Sequence, residues 1–300
     1  MNQMSIISDL IKWIEKNLEQ PLSIDHVAKK SGYSKWHLQR MFKDVTGKVL
    51  GTYIRHRRLT HAALALKLTS KPILDIAMQY QFDSQQTFTR SFKKQFKLTP
   101  ANYRRAELWD PVGLTPPIQL DRKLVHLPQP LFITIPEQVF WGVSYKSRCN
   151  LDNMWREQLT NREKFFVDYL NKYIKHNEPI PSKLFAFFQS IESSDNPEEQ
   201  EILYTIGLEQ KKNIEGIDQF SHKAGLYASF KYVGPIDDFW DFIIQVYLAA
   251  MPSLGVKLRR GPHIEIYHHN SNWDLKRLQR PKLIECDYCI PVVNEQNNCH

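Results

Sequence analysis

The sequence predicts a multidomain protein: an all-α first third with two helix-turn-helix units, then an α+β domain of two βαββ units. Three observations predict it. Apolar residues recur at helical spacing over residues 6–96, with almost no strict alternation. The helices of that stretch repeat one another at an offset of 49 to 50 residues. Beyond a proline-broken stretch, strand-like runs alternate with amphipathic ones.

Ile6, Ile7, Leu10, Ile11, Ile14 and Leu18 mark a first helix, which Pro21 stops. Ser23 is a suitable N-cap for a second, carrying Ile24, Val27 and Ala28 and ending at Gly32. Ser34 caps a third with Trp36, Leu38, Met41, Phe42 and Val45, and a long helix follows over roughly 48–68. A short helix holds Ile73, Leu74, Ile76 and Ala77, and another runs from about Ser84 to Phe96. At an offset of 49, Ile24, Val27, Ala28 and Tyr33 match Ile73, Ile76, Ala77 and Phe82. At 50, Leu38, Arg40, Phe42, Lys43, Tyr53 and Arg55 match Phe88, Arg90, Phe92, Lys93, Tyr103 and Arg105. Two copies of one unit joined by one long helix account for this.

Pro111, Pro116, Pro117, Pro128 and Pro130 break the next stretch, so the expected layout is a helical domain at 1–107, a linker at 108–130, a second domain at 131–291 and a tail at 292–300. Within the second domain, 132–135 and 139–147 read as a strand or bent strand and 152–175 as a helix. Strands at 183–191 and 201–209 flank a polar turn at 193–197. The order then recurs in kind: strand 225–233, helix 236–250, strands 263–269 and 282–291.

Composition excludes several classes. With 300 residues and 42% apolar content, the chain can bury two ordinary cores. No run approaches the ~18 to 20 apolar residues of a membrane span, and the start lacks a basic region, apolar run and cleavage site, so a cytoplasmic protein without a membrane partner is expected. Four cysteines in so long a chain make no disulfide framework, and Cys286-x-x-Cys289 has no second pair at zinc-finger spacing. On a strand its two thiols point to opposite faces, so two reduced cysteines and no metal or cofactor are expected. No nucleophile elbow or phosphate loop is present, so an enzyme is not expected.

The charge is split. Residues 1–107 hold 19 basic and 8 acidic residues, +11, and the rest hold 21 and 24, −3. Excess positive charge confined to the first third suits a polyanion partner there, such as double-stranded DNA, and equally suits plain solubility, so the charge alone does not decide between them. The helix from Ser34 sets Leu38, Phe42 and Val45 on one face and Lys35, Trp36, Gln39, Arg40 and Lys43 on another. The helix from Ser84 sets Phe88, Phe92 and Phe96 against Gln85, Gln86, Thr89, Arg90 and Lys93. Arg can fork onto guanine, Gln can pair with adenine, and Thr offers a methyl to thymine. The lysines and the arginines Arg55, Arg57 and Arg58 suit phosphates, which position rather than specify.

The segments Gly32-Tyr33-Ser34-Lys35-Trp36-His37-Leu38-Gln39-Arg40-Met41-Phe42-Lys43 and Phe82-Asp83-Ser84-Gln85-Gln86-Thr87-Phe88-Thr89-Arg90 resemble the AraC/XylS family, and the layout resembles members with a large domain after the DNA-binding part. That resemblance implies a bacterial, cytoplasmic, nucleoid-associated activator of stress-type promoters that binds one asymmetric box as a monomer and meets RNA polymerase. It places base and near-base contacts on Trp36, Gln39 and Arg40 and on Gln85, Gln86, Thr87, Thr89 and Arg90. The two reading helices would lie about one DNA turn apart, ~34 Å. One departure bears on the second unit: Gln81 stands in its turn where the first has Gly32, so glycine's tolerance of positive φ is missing there and the depth of docking is open.

In the second domain, Gly225-x-Tyr227-Ala228-Ser229-Phe230-x-Tyr232-Val233-Gly234-Pro235 and Ile264-Glu265-Ile266-Tyr267 resemble the GyrI-like ligand-binding domain. The resemblance implies two βαββ units around an aromatic pocket for a hydrophobic, amphipathic or cationic small molecule. It places Glu265 and Tyr267 near that pocket, with Trp240, Trp141 and Tyr227 as further candidates. A small-molecule hydrolase using Glu265 and Tyr267, or a structural DNA-binding protein that does not regulate, is the alternative.

Overall fold

The computed structural model describes residues 3–69, 71–120, 127–149, 160, 161, 163, 164, 167, 181–191, 200–210, 216–268 and 282–293. Most of the helix expected over 152–175, the turn at 193–197 and the tail beyond 293 lie outside the described residues. The chain divides into two compact units, 1–106 with 111–126, and 107–110 with 127–300.

The first unit is helical: α1 (Gln3–Lys16), α2 (Ile24–Ser31), α3 (Lys35–Thr46), α4 (Leu50–Leu68), α5 (Ile73–Gln79), α6 (Gln85–Phe96) and α7 (Pro100–Arg105). Their starts are set by short polar side chains. Ser23, Ser34, Ser84 and Thr99 each accept a hydrogen bond from the backbone N–H three residues on, an arrangement worth ~1 kcal/mol per helix. The sequence reading omitted α7, although Thr99-Pro100 is a cap followed by the one residue that suits the first helical position. Ile7, Ile11, Ile14, Leu38, Phe42 and Tyr53 are buried in one core. The core of the second helix-turn-helix is aromatic, with the Phe92 ring tilted or edge-on against Phe88, Phe96 and Tyr103 at centroid distances of 5.5, 4.5 and 5.2 Å.

Gln81 departs from expectation. It takes up the left-handed conformation itself (φ 62°), matching Gly32 (φ 74°), and Lys97 (φ 62°) likewise matches Gly47 (φ 71°). The second helix-turn-helix keeps the turn geometry of the first without glycine, so the backbone gives no reason for shallower docking.

Among its described residues the second unit is a nine-stranded sheet of β1 (Leu131–Ile135), β2 (Gln138–Cys149), β3 (Lys183–Ile191), β4 (Gln200–Leu208), β5 (Asp218–His222), β6 (Gly225–Pro235), β7 (Lys257–Leu258), β8 (His263–His268) and β9 (Leu283–Val293). All pairings are antiparallel, in the order β1-β6-β9-β8-β3-β4-β2-β5, with β7 beside β9. The expected bent strand is two strands, since β1 pairs with β6 while β2, two residues later, pairs with β4 and β5. The expected helix over 236–250 is a 3-10 turn, the short α8 (Phe239–Gln245) and a π turn, closed by a second 3-10 turn at 251–253. Ile236, Phe239, Phe242, Ile243 and Val246 cover one sheet face there. The other face holds Phe140, Phe185, Phe187, Tyr227, Ile264 and Cys289. Cys286 and Cys289 are both buried free thiols, and they lie on opposite faces, as strand alternation requires.

Candidate nucleic-acid interface and ligand site

On α3, the side chains of Lys35, Trp36, Gln39, Arg40 and Lys43 are exposed, while Leu38 and Phe42 on the opposite stripe are fully buried. Trp36 is 68% exposed, an unusual position for so large an aromatic and the reverse of a core role. The Arg40 guanidinium lies over its ring, 5.4 Å from the centroid, and 3.7 Å from the Asp44 carboxylate. Lys35 is paired with Asp25. These are solvent-exposed contacts that a nucleic acid can replace at little cost.

On α6, Gln85, Gln86, Arg90 and Lys93 are exposed, Thr87 and Thr89 are half-buried, and Phe88, Phe92 and Phe96 face inward. Between the two helix-turn-helix units runs a cleft of about 480 Å³, lined among others by Arg55, Arg58, Thr87 and Arg90. Near it, His56 is exposed and its pKa is lowered, first by partial burial and then by Lys48, Arg55 and Lys94. Sequence reasoning missed Lys48, His56 and Lys94 as one basic group, because they come from different elements.

Two of the arginines assigned to phosphates are structural. Arg57 is 3% exposed, and its Nε and Nη2 donate to both oxygens of Glu15 at 2.8–3.0 Å. Arg58 donates to the carbonyls of Leu18 (2.9 Å) and Gln20 (2.6 Å) and so ties α4 to the end of the first helix segment. Helix α4 turns one side to the core, and a run of basic residues along it cannot all face outward. Arg55 remains exposed.

In the second unit, Glu265 is 1% exposed on β8, opposite Ala186 on β3 and Tyr288 on β9. The Tyr204 and Tyr267 hydroxyls both donate to its Oε2, at 2.7 Å each. A carboxylate taken out of water needs such donors or a counter-charge. Two residues before it on the same face, His263 contacts the Tyr247 hydroxyl at 3.0 Å, and burial lowers its pKa to about 4 despite the opposing pull of Glu265. Trp240 packs against the same core from α8.

The other two candidates fall elsewhere. Trp141 shares this face by register, opposite Leu208, but its strand β2 lies three strands from β8, roughly 14 Å at the usual strand spacing. Tyr227 is on the opposite face, buried among Phe187, Ile264 and Cys289, with the Arg259 guanidinium 4.8 Å above its ring. The two-residue alternation hides such an assignment until the pairing register is known. Among the described residues no group of three or more potential metal ligands occurs, and no helix is long and apolar enough to cross a membrane.

Comparison with known proteins agrees with this division. A helix-turn-helix domain family matches residues 27–106, and the GyrI-like small molecule binding domain matches 156–293. Over 97% of its length the chain is 44% identical to the transcriptional regulator Rob of Salmonella typhimurium and 43% identical to the right origin-binding protein of Escherichia coli, covering 99% of each. Over 104 residues, 35% of this chain, it is 59% identical to the regulatory protein SoxS of Escherichia coli, covering 97% of that protein.

Proposed function

The chain belongs to the AraC/XylS family of transcriptional regulators, with a GyrI-like small molecule binding domain, and from that premise we propose that it is a sequence-specific activator of stress and multidrug-tolerance promoters, controlled by a small molecule. The observation that carries the DNA half is the repetition of one exposed polar stripe on α3 and α6 of a single chain. One chain then supplies both reading helices, so a monomer suffices for an asymmetric box. In this reading Trp36, Gln39 and Arg40, with Gln85, Gln86, Thr87, Thr89 and Arg90, lie at or near base edges. Lys35, Lys43, Arg55 and Lys93, joined by Lys48 and Lys94, neutralise phosphates, and the His56 imidazole, kept neutral by partial burial and that basic group, can offer a hydrogen bond there. RNA polymerase is the protein partner, and the regulator works in the bacterial cytoplasm at the nucleoid. The DNA-binding domain is residues 1–107 and the effector domain 131–291.

The effector half rests on Glu265 and its tyrosines. A carboxylate buried beside the Tyr204 and Tyr267 rings, whose hydroxyls hold it, suits a lipophilic cation, which is drawn to the negative charge and to the ring faces. Glu265 and Tyr267 are the proposed ligand residues, with Tyr204 and Trp240 beside them.

Arg40→Ala tests the base-reading assignment by titration of matched and base-substituted duplexes. A loss of ~1–3 kcal/mol on the matched site, with relaxed choice at one base pair, is expected for a bidentate Arg–guanine contact. Equal loss on every duplex would make Arg40 a phosphate contact instead.

A further inference from the structure

Residues 111–126, expected as part of a linker, belong to the compact DNA-binding unit. Within that unit a short stretch of them touches three elements in turn. The Gly113 carbonyl accepts from Gln95 Nε2 (2.8 Å) in the last turn of α6, and the same nitrogen reaches the His56 carbonyl of α4 at 3.4 Å. Gly113 sits at φ +99°, where an added Cβ would come within 2.9 Å of the Gln95 carbonyl oxygen and the Phe96 ring. The close seat on α6 therefore requires a residue without a side chain. Two residues on, Thr115 donates its N–H to the buried Thr60 hydroxyl of α4 (3.0 Å), and its carbonyl accepts from Arg57. Three residues further, the Ile118 N–H donates to the Tyr53 hydroxyl (3.4 Å). Ile118 and Leu120 pack on the core that also holds Leu38 and Phe42 of α3.

Tyr53, Arg57 and Thr60 share one side of α4 at helical spacing, whereas Gly51, Ile54, Arg55 and Arg58, which line the cleft, share another. The stretch thus runs along α4 behind the cleft, from the end of one reading helix to the core that seats the other. Between its contacts at Thr115 and Ile118 stand Pro116 and Pro117, whose rings fix φ and favour a stiff, extended spacer. A second tie lies on the cleft side, where Gln81 is part of the lining. Gln79 donates to Glu19 Oε1 and Gln81 to the Glu19 carbonyl, at 2.7 Å each. The two helix-turn-helix units are therefore held to each other on two sides of α4.

Taking α3 and α6 as the DNA-reading helices, we propose that residues 113–118 form a brace that fixes their separation. Gly113, Thr115 and Thr60 are then positioning residues for the spacing of the two half-sites that the chain accepts. One base pair added between half-sites moves the second by about 3.4 Å along the duplex and turns it by roughly 35°. A joint held on both sides cannot follow that change, so one helix gives up base contacts. A joint that gives way follows part of it. The brace acts on which duplexes are accepted more than on how tightly the matched one is held.

The test uses the full chain and a box that it selects from random duplexes. Anisotropy gives its affinity for that box and for versions with one base pair added or removed between the half-sites. The native chain is expected to lose at least ~10-fold on either change, as it does on giving up the contacts to one base pair or more. Inserting two glycines between Pro116 and Pro117 keeps the contacts of the brace but lets its ends move apart. That variant should lose less than ~3-fold on the altered spacings, below the worth of one base contact, with affinity for the selected box retained. Thr60→Val, which removes the hydroxyl that holds Thr115, should do the same, and Thr60→Ser should keep the native discrimination. Urea titration checks that each variant is folded under the binding conditions. Unchanged discrimination in the folded insertion variant overturns the inference, as does a native chain that accepts all three spacings alike. An equal fall on all three duplexes marks a purely structural segment and overturns it too, as does a Thr60→Ser chain as loose as Thr60→Val. If the native chain selects no box at all, the assignment of α3 and α6 fails together with the brace, and the selection step tells that outcome from the others.

Discussion

Arg57 shows how much a single position can hide. As one of three arginines in four residues it reads as a phosphate contact, but it is buried against Glu15, which also accepts a hydrogen bond of 2.5 Å from Tyr53. Removing one partner of a buried pair strands the other's charge, at a cost of about 3–5 kcal/mol. Arg57→Ala should therefore lower the unfolding free energy of the DNA-binding unit by that amount in urea titration, with the duplex affinity of the folded fraction nearly unchanged. A large affinity loss at full stability would return Arg57 to the phosphate group. Next to it, His61 Nε2 lies 3.2 Å from Arg57 Nη2, and burial followed by the Arg57 charge lowers its pKa to about 4. A histidine held neutral in the folded state binds fewer protons than the unfolded chain. Its contribution is full above the unfolded value of about 6.5 and is lost as pH falls toward 4. For a shift of this size the loss at pH 5 is about 2 kcal/mol, from roughly 1.4 kcal/mol per unit. Thermal unfolding of the DNA-binding unit should soften between pH 7 and 5, and His61→Gln should flatten that dependence. An equally steep slope in the variant would place the acid sensitivity elsewhere.

At the scale of elements, the helices of the first third are readable because several signals agree: a 3.6-residue apolar period, Ser caps and, in the first unit, a glycine stop. The second helix-turn-helix departs from that grammar at Gln81 and Lys97, and the two departures differ. Gln81 donates from Nε2 to the Glu19 carbonyl at 2.7 Å, so its side chain offsets part of the backbone cost, whereas Lys97 has an exposed Nζ contact to Lys94 at 3.2 Å. A left-handed non-glycine residue costs roughly 1–2 kcal/mol, and glycine returns up to about 1 through the unfolded chain. Lys97→Gly should raise stability by ~0.5–1 kcal/mol and Gln81→Gly should leave it near zero, measured by chemical denaturation. The opposite order would show that the Gln81 contact does not compensate. In the second domain the strands over 183–293 were legible from their apolar runs, but β5 and β7 were not. Residues 218–222 hold a single large apolar residue, Phe220, and β7 is two residues long. The pairing of β1 away from β2, and with it the face of Tyr227, depends on contacts nearly a hundred residues apart that no local pattern encodes.

At the scale of the whole molecule, the order of the strands along the sheet sets a timetable. Strand β9 is last in sequence among the described strands, yet it sits between β6 and β8. Without it the sheet is two fragments, β1-β6 and β8-β3-β4-β2-β5, each with an open edge. The helical unit, by contrast, is closed by residues that all lie within the first 126, and helical topologies fold fastest. A growing chain moves from residue 106 to 293 in roughly 10–40 s at bacterial elongation rates of about 5–20 residues per second. During that interval the nascent protein carries a finished reading head and an effector domain that cannot yet close. A ribosome paused before residue 283 would leave a fragment that can still seek DNA but has no completed sheet, and whose open strand edges invite aggregation or proteolysis.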